Sequence, residues 1–270
     1  MRHLFFQLLL FVLIFITAGY TTADLTKGLV IYFSFDNVKD KRILDESGNN
    51  LDSEVIENTE FVEGKYGNAI RITGEIEGCV NIPSADSLEI DEEITMMAWV
   101  YHENWIESSS QWLDKGSYST KTHGGYGMVF FDKDDGGPGI AVNLGGERRR
   151  RFIIRDDINR NKTWHHIVAT CNDTSVKLYI DGEIILKLEA DFIFNGINDH
   201  DLRIGCAKGK SEYAFEDGSI DEVAIWNRVL SEDEIKRAMR GPLLSVSPKD
   251  KGATTWGNIK RKAFYSKVYN

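Results

Sequence analysis

The chain alternates short apolar stretches with polar, glycine-rich turns over most of its length. In residues 29–35 every second side chain is apolar and large, which is typical of a strand with one buried face. Asp181 and Gly182 separate two such stretches, and this pair favours a type I′ hairpin turn because both positions need a positive φ. Further strands are predicted at 69–73, 79–82, 95–101, 127–131, 140–144, 152–155, 164–171, 176–180, 183–188, 202–206 and 219–226.

One short helix is predicted after the last strand. Ser231 and Glu234 form a capping box, Leu230 and Ile235 are spaced as a hydrophobic staple, and a Gly-Pro pair follows. Because the strands follow one another without alternating helices, the sequence favours an all-β antiparallel sandwich of two sheets with one short C-terminal helix.

The N-terminus is typical of a secretory signal peptide. Arg2 and His3 precede the apolar stretch 4–16, and small residues lead to an expected cleavage after Ala23. A helix of thirteen residues spans roughly 20 Å, less than a hydrocarbon core of about 30 Å, so a retained membrane anchor is disfavoured. We therefore expect a secreted, periplasmic or cell-surface protein without a membrane span after cleavage.

The remaining chain divides into two parts by composition. Residues 24–240 contain the predicted strands and helix and form the predicted domain. Residues 241–270 carry six Lys or Arg against one Asp, and we interpret them as a basic tail. The whole chain has 32 Lys and Arg against 42 Asp and Glu, a net charge of −10, which argues against binding to nucleic acid.

Three cysteines are too few for a disulfide scaffold. Export makes one bridge possible among Cys79, Cys171 and Cys206, but any pair leaves one thiol over. Buried, unpaired cysteines are an equally good interpretation, because all three lie in apolar stretches.

Eight segments, taken in order, resemble a known family. Two examples are Trp-His-His-Ile-Val-Ala at 164–169 and Gly-Ser-Ile-Asp-Glu-Val-Ala-Ile-Trp at 218–226. Together they resemble the laminin-G-like jelly roll of the concanavalin A-like lectin/glucanase superfamily, which is related to pentraxins. The resemblance implies a two-sheet jelly roll, often a structural calcium site, and recognition of glycans or extracellular proteins. The segments are 28–36, 45–49, 64–69, 80–83, 95–100, 164–169, 178–182 and 218–226.

Three aspartates in these segments are candidate calcium ligands, because calcium prefers several carboxylate and carbonyl oxygens. Asp36 follows the first strand, Asp45 opens a turn, and Asp221 lies in the last strand. In the family that the sequence resembles, the first and last of these strands meet at a sheet edge, which would bring Asp36 and Asp221 together. The alternative is that Asp45 caps its turn and Asp221 faces solvent.

Candidate ligand-binding residues lie in the predicted loop 104–126. Trp105 and Trp112 could stack on sugar faces, with Asp114 or His123 supplying hydrogen bonds. The alternative is that the two indoles anchor the loop to the sandwich.

A run of arginines forms the concentrated basic patch of the chain. Arg149 and Arg151, within the run 148–151, could bind a sulfated or uronic polysaccharide. They could equally protect a sheet edge from aggregation or balance the acidic body.

The sequence predicts no catalytic residues and favours a non-catalytic module that binds carbohydrate or a glycosylated partner. One alternative is a glycoside hydrolase of the β-glucanase type, in which Glu89 and Glu93 would form the carboxylate pair on alternate strand positions. Another is a structural or adhesive surface protein that docks through its basic tail. The sequence does not define the oligomeric state.

Overall fold

A computed structural model describes residues 24–55, 59–72, 79–103, 110–116, 124–131, 139–146, 150–155, 162–189, 193–206, 215 and 218–244. Its strands form two antiparallel sheets. The strands of the eight-stranded sheet are β1 (Leu29–Phe33), β5 (Thr59–Glu63), β6 (Asn68–Ile72), β8 (Ile94–His102), β13 (Trp164–Cys171), β14 (Ser175–Ile180), β15 (Glu183–Glu189) and β17 (Gly218–Trp226). Their order across the sheet is β15-β14-β13-β8-β17-β6-β5, with β1 also paired to β17.

The strands of the nine-stranded sheet are β2 (Val38–Lys39), β3 (Arg42–Ile43), β4 (Ser53–Val55), β7 (Val80–Ile82), β9 (Ser110–Lys115), β10 (Tyr126–Phe131), β11 (Gly139–Leu144), β12 (Arg150–Arg155) and β16 (Leu202–Ile204). Their order across the sheet is β12-β11-β10-β9-β16-β7-β4-β3-β2. The two sheets confirm the predicted antiparallel sandwich.

The core lies between the sheets and follows the period-two pattern of the sequence. Ile31 and Phe33 enter it from β1, and Ile140 and Val142 enter it from β11. Burial of such side chains contributes about 1.5–3 kcal/mol each relative to exposure. The core therefore contains the apolar face that the alternation predicts. Strand β1 is buried on its other face as well, because Tyr32 packs in a second apolar cluster.

The helix α1 (Glu232–Ala238) covers part of the outer face of the eight-stranded sheet. Its capping box is formed as predicted, because Ser231 accepts from the Glu234 amide and Glu234 accepts from the Ser231 amide. Leu230 and Ile235 are both buried against the sheet. Leu243 packs there too, so the packing of the domain continues past the predicted boundary at 240. Within the described ranges, no helix is long and apolar enough to cross a membrane.

The predicted hairpin turn is also present. Asp181 and Gly182 have φ values of 53° and 81°, and they connect β14 to β15. Asp181 accepts a hydrogen bond from the amide of His166 (2.9 Å) and contacts Nδ1 of His165 (2.8 Å). The turn is thereby fixed to β13.

A disulfide joins Cys79 to Cys206, and Cys171 is a buried free thiol. The bridge connects the segments next to β7 and β16, which are paired in the nine-stranded sheet. Of the two interpretations that the sequence leaves open, one bridge with one thiol over is therefore the one observed.

Replacing Cys79 and Cys206 together by Ser should lower the free energy of unfolding by about 2–4 kcal/mol, because the bridge closes a long loop in the unfolded chain. The residues it joins are 127 positions apart. Urea unfolding measures the change. Reduction of the wild type should give the same loss. Cys171→Ala is the control: it keeps the bridge, so reductant should lower its free energy of unfolding by as much as it lowers that of the wild type. Equal stability of the oxidised and reduced wild type would contradict the prediction.

Candidate functional site

A row of polar residues crosses the outer face of the nine-stranded sheet. Side chains next to them in each strand belong to the core, for example Leu113 and Val142, so the row lies on the opposite face. Strand register aligns Asn143 with Arg151, Gly127 with Asn143 and with Asp114, and Arg203 with both Asp114 and Asn81. We call Asn81, Arg203, Asp114, Gly127, Asn143 and Arg151 the polar row.

Two members of the polar row are shielded from solvent, while Asn81 and Arg203 are partly exposed. Asp114 is 2% exposed and Asn143 is 1% exposed. Buried polar groups need hydrogen-bond partners, because losing water without replacement costs about 1–3 kcal/mol each. Yet Nε of Arg203 and Oδ1 of Asn81 are buried without a hydrogen-bond partner in the described part of the chain. The polar row thus combines donors and acceptors that suit hydroxyl, carboxyl or sulfate groups.

Two of the six predicted ligand-binding residues, Asp114 and Arg151, belong to this row. Trp112 is different from the expectation, because it lies in β9 and is fully buried in the core instead of being exposed in a loop. The register between β9 and β10 shifts at this point, so Trp112 is the extra residue of a bulge. The predicted residues Trp105, His123 and Arg149 lie outside the described residues.

A second site is acidic and lies beside the turn between β5 and β6. The Tyr66 amide donates to Asp221 Oδ2 (2.9 Å). The amide and side-chain nitrogens of Asn68 donate to Asp36 Oδ1 (2.8 and 2.9 Å). Asp36 and Asp221 are distant in the sequence. The structure brings both of them to the same turn.

Glu222 is a member of this acidic site that the sequence reasoning did not select. It is 1% exposed and has a φ of 52° at an irregularity in the pairing of β17 with β8. Its Oε2 accepts from the Tyr32 hydroxyl (2.7 Å) and the Leu243 amide (3.1 Å). Its Oε1 is buried and has no hydrogen-bond partner among the residues that the structure describes. The signal in the sequence was a pair of adjacent acids inside an otherwise apolar strand.

Burial dominates the electrostatics of the acidic site. It is the largest cause that raises the pKa of Asp221 to about 8 and the pKa of Glu222 to about 7. Neighbouring carboxylates act in the same direction, Glu222 on Asp221 and Glu46 on Glu222, and Asp36 contributes to both. Hydrogen bonds from Tyr66 and Tyr32 act in the opposite direction. In the described ranges, no ion pair with Lys or Arg neutralises these two carboxyls. The site therefore favours a proton or a cation.

Asp45 lies in a different hydrogen-bond network. Its Oδ1 accepts from the amides of Tyr32 and Ser47, and its Oδ2 accepts from the Ser47 hydroxyl and the Leu51 amide. Each of the two oxygens thus accepts two hydrogen bonds. This agrees with the alternative interpretation of the sequence, in which Asp45 caps its turn. This leaves Asp36 and Asp221 as the two predicted ligands that share one site.

The donor chemistry of the acidic site suits a hard cation such as calcium, since buried carboxylate oxygen lacks a neutralising partner. Across the described part of the chain, no three His, Cys, Asp or Glu side chains form a group that could hold a metal ion. A bound calcium would consequently need backbone carbonyls or water in addition to Asp36 and Asp221.

The glutamates of the hydrolase alternative lie outside strands. Glu89 is exposed at the end of the 3-10 turn Asp86–Leu88, and Glu93 precedes β8. Oε2 of Glu93 accepts a hydrogen bond from the Val229 amide (3.1 Å). The alternate strand positions that would place both carboxylates on one face are therefore not formed.

Comparison with known proteins gives one family. The family model Laminin_G_3, of the concanavalin A-like lectin/glucanases superfamily, matches residues 74–236. No curated protein sequence matches the chain significantly.

Solved structures with the same fold include binding domains of toxins. The binding domain of Paraclostridial Mosquitocidal Protein 1 has a TM-score of 0.62 at 17% identity, covering 80% of this chain and 52% of that one. The binding domain of botulinum neurotoxin DC in complex with rat synaptotagmin II has a TM-score of 0.57 at 15% identity, with the same coverages. The same domain in complex with SialylT gives 0.60 at 14% identity. The chain thus spans about half the length of these structures.

Replacing Glu222 by Gln should flatten the pH dependence of stability. A carboxyl with a raised pKa in the folded state binds its proton more tightly there than in the unfolded chain, so stability falls as pH rises from about 4.5 to about 7. Gln does not titrate. Between pH 5 and 8, the free energy of unfolding of the variant should therefore decline less than that of the wild type, by up to about 3 kcal/mol.

Urea unfolding in the presence of chelator measures this difference. Glu60→Gln, which changes an exposed acid of the same sheet, should keep the wild-type dependence. A Glu222→Gln variant with the wild-type slope would show that this carboxyl titrates normally.

Proposed function

Because the chain belongs to the concanavalin A-like lectin/glucanases superfamily, we propose that it is a secreted, non-catalytic recognition module that binds carbohydrate or a glycosylated extracellular partner. The fold is a scaffold for many functions, so the site must carry the assignment. The observation that carries it is the polar row, in which strand register aligns Asp114 and Arg151 with Asn143 and Arg203.

The composition of the polar row supports a carbohydrate ligand. An outer sheet face that packs on another layer is normally apolar, whereas this row alternates guanidinium, carboxyl and amide groups. Guanidinium groups bind carboxylate and sulfate in two-pronged geometry, and amides both donate to and accept from hydroxyls. A sulfated or uronic polysaccharide would use both kinds of group. Similar structures are binding domains, one of them in complex with SialylT.

Calcium is the proposed structural cofactor. Asp36 and Asp221 would supply carboxylate oxygen, and Glu222 adds a buried carboxyl that forms no ion pair with any described Lys or Arg. A cation there would offset the mutual repulsion of these charges and hold the turn between β5 and β6. Asp45 is not part of this proposal, because each of its oxygens already accepts two hydrogen bonds, whereas each oxygen of Asp221 accepts one.

A chelator should lower the melting temperature, and replacing both Asp36 and Asp221 by Ala should abolish the difference. If free calcium exceeds its Kd about 100-fold, the stabilisation is about 2.7 kcal/mol, or roughly 5–10 °C for a domain of this size. Differential scanning calorimetry with calcium and with EDTA measures it. Asp45→Ala is the matched control, which should destabilise the protein under both conditions and keep the calcium-dependent difference. Identical wild-type melting with calcium and EDTA would refute the calcium proposal.

A glycan array that includes sulfated and uronic polysaccharides tests the recognition function. We expect binding, and we expect Arg151→Ala to weaken it about tenfold, since loss of a hydrogen bond to a charged group costs about 1.5–3 kcal/mol. Arg240→Ala removes an exposed arginine outside the polar row and should bind as the wild type does. The absence of any bound glycan, with calcium and with chelator, would refute the proposed function.

A further inference from the structure

Lys115, the last residue of β9, is a lysine without access to solvent. Its exposed fraction is 0%, and that of Asn198, in the segment between β15 and β16, is 6%. Nζ of Lys115 lies 2.8 Å from the backbone oxygen of Asn198 and 3.1 Å from its side-chain Oδ1. A lysine is almost never fully buried unless a charged group pairs with it. Here, within the described part of the chain, the amine bonds to a neutral residue.

The side-chain amide of Asn198 is held at both ends. Its Nδ2 donates to the carbonyls of Lys115 (3.0 Å) and Gly196 (3.3 Å), and its Oδ1 accepts from the His200 amide (2.9 Å). The Gly196 amide donates in turn to the carbonyl of Ile90 (2.7 Å), which is a core residue. These bonds fix the position of the amide relative to the amine.

Two glycines permit the close packing of these groups. Gly125 has a φ of 130°, and a Cβ there would lie 2.4 Å from the Lys115 carbonyl oxygen and 3.1 Å from Nδ2 of Asn198. A Cβ at Gly116 would also lie 3.1 Å from this Nδ2. The amine and the amide therefore lie in a site that is closed to larger side chains.

The surroundings of Lys115 favour a neutral amine. Burial lowers the pKa of Lys115, while the charges of Glu89, Asp199 and Asp201 act in the opposite direction. Burial disfavours the charged form because the ammonium loses its water. A desolvated lysine amine is a nucleophile, since its lone pair is free when the proton is lost.

The amide of Asn198 supplies the matching electrophile. Its Cγ lies within about 4.3 Å of the Lys115 Nζ, because the C=O bond adds about 1.2 Å to the contact of 3.1 Å with Oδ1. A small rotation of the lysine side chain brings these atoms to the distance of about 3–3.5 Å from which reactions proceed. The His200 amide, which already donates to Oδ1, stabilises the negative charge that develops on this oxygen during attack.

We propose that Lys115 and Asn198 form an intramolecular amide bond. The neutral Nζ attacks Cγ of Asn198 and forms a new C–N bond, and the bond between Cγ and Nδ2 breaks. The proton that Nζ loses goes to Nδ2, which leaves as ammonia, so the reaction needs neither an oxidant nor a cofactor. The bond joins positions 83 residues apart and fastens β9 to the segment before β16. This inference is independent of the carbohydrate and calcium proposals.

Mass spectrometry of the purified chain tests the proposed bond. After incubation of the folded protein, the reduced and denatured chain should have a mass lower by one ammonia molecule than its sequence gives. A tryptic digest should contain a branched peptide that joins Lys115 to Asn198. Trypsin should no longer cleave after Lys115, because the acylated amine carries no charge.

Three variants serve as controls. Lys115→Arg keeps a positive charge, but a guanidinium is not deprotonated in proteins, so this variant should keep its full mass. Asn198→Ala removes the acceptor carbon and should keep its full mass too. Lys187→Arg makes the same change at a lysine whose side chain is 56% exposed, and it should lose ammonia as the wild type does.

Two outcomes would overturn the proposal. Folded wild-type protein that keeps its full mass after prolonged incubation, with normal cleavage after Lys115, would show that the two groups do not react. A loss of ammonia that persists in Lys115→Arg would show that an asparagine has cyclised onto its own backbone instead.

Discussion

The pairing of β17 with three other strands holds the eight-stranded sheet together. Along one side β17 pairs with β8, and along the other it pairs first with β6 and then with β1. The change of partner occurs at Asp221 and Glu222, where the register with β8 shifts and Glu222 takes a positive φ. A left-handed conformation costs a non-glycine residue about 1–3 kcal/mol and persists only where its surroundings fix it. Here Tyr66, Tyr32 and Leu243 fix it through hydrogen bonds.

The central position of β17 also explains why the carboxyls of Asp221 and Glu222 are buried. All nine residues of β17 are buried, so an acidic pair in the middle of the strand must be satisfied within the protein. Burial of unpaired charge is costly, and it raises the pKa values of Asp221 and Glu222. The acidic pair thus lies where β17 changes its partner, and its burial there is the cause of the raised pKa values.

Local patterns in the sequence account for most of the fold. The alternation in β1, the turn at Asp181 and Gly182 and the capping box of α1 each depend on a few neighbouring residues, so they could be predicted. Strand β9 was missed because its outward positions are polar and its bulge interrupts the period of two. For that reason Trp112 was placed in a loop, although it lies in the core.

The candidate site depends on contacts between residues that are distant in the sequence, so no local pattern predicts it. Asp36 and Asp221 could be associated only through the resemblance to a family, and Asp45 was associated with them although its donors are local. The bridge between Cys79 and Cys206 and the alignment of Asp114 with Arg203 follow from strand register. Register between distant strands is set by the whole sheet, so such pairs cannot be derived from spacing along the chain.

The turn between β5 and β6 connects the acidic site to the ring of Trp99 and to the end of α1. The Tyr66 amide is bonded to Asp221, and the Tyr66 ring packs against the edge of Trp99. Its hydroxyl donates to the carbonyl of Met239 at the end of α1 (2.8 Å). One residue therefore contacts the acidic site, the ring of Trp99 and the end of α1. A displacement of the Asp221 carboxyl would move the Tyr66 amide, so the acidic site and the packing around Trp99 are connected through one turn.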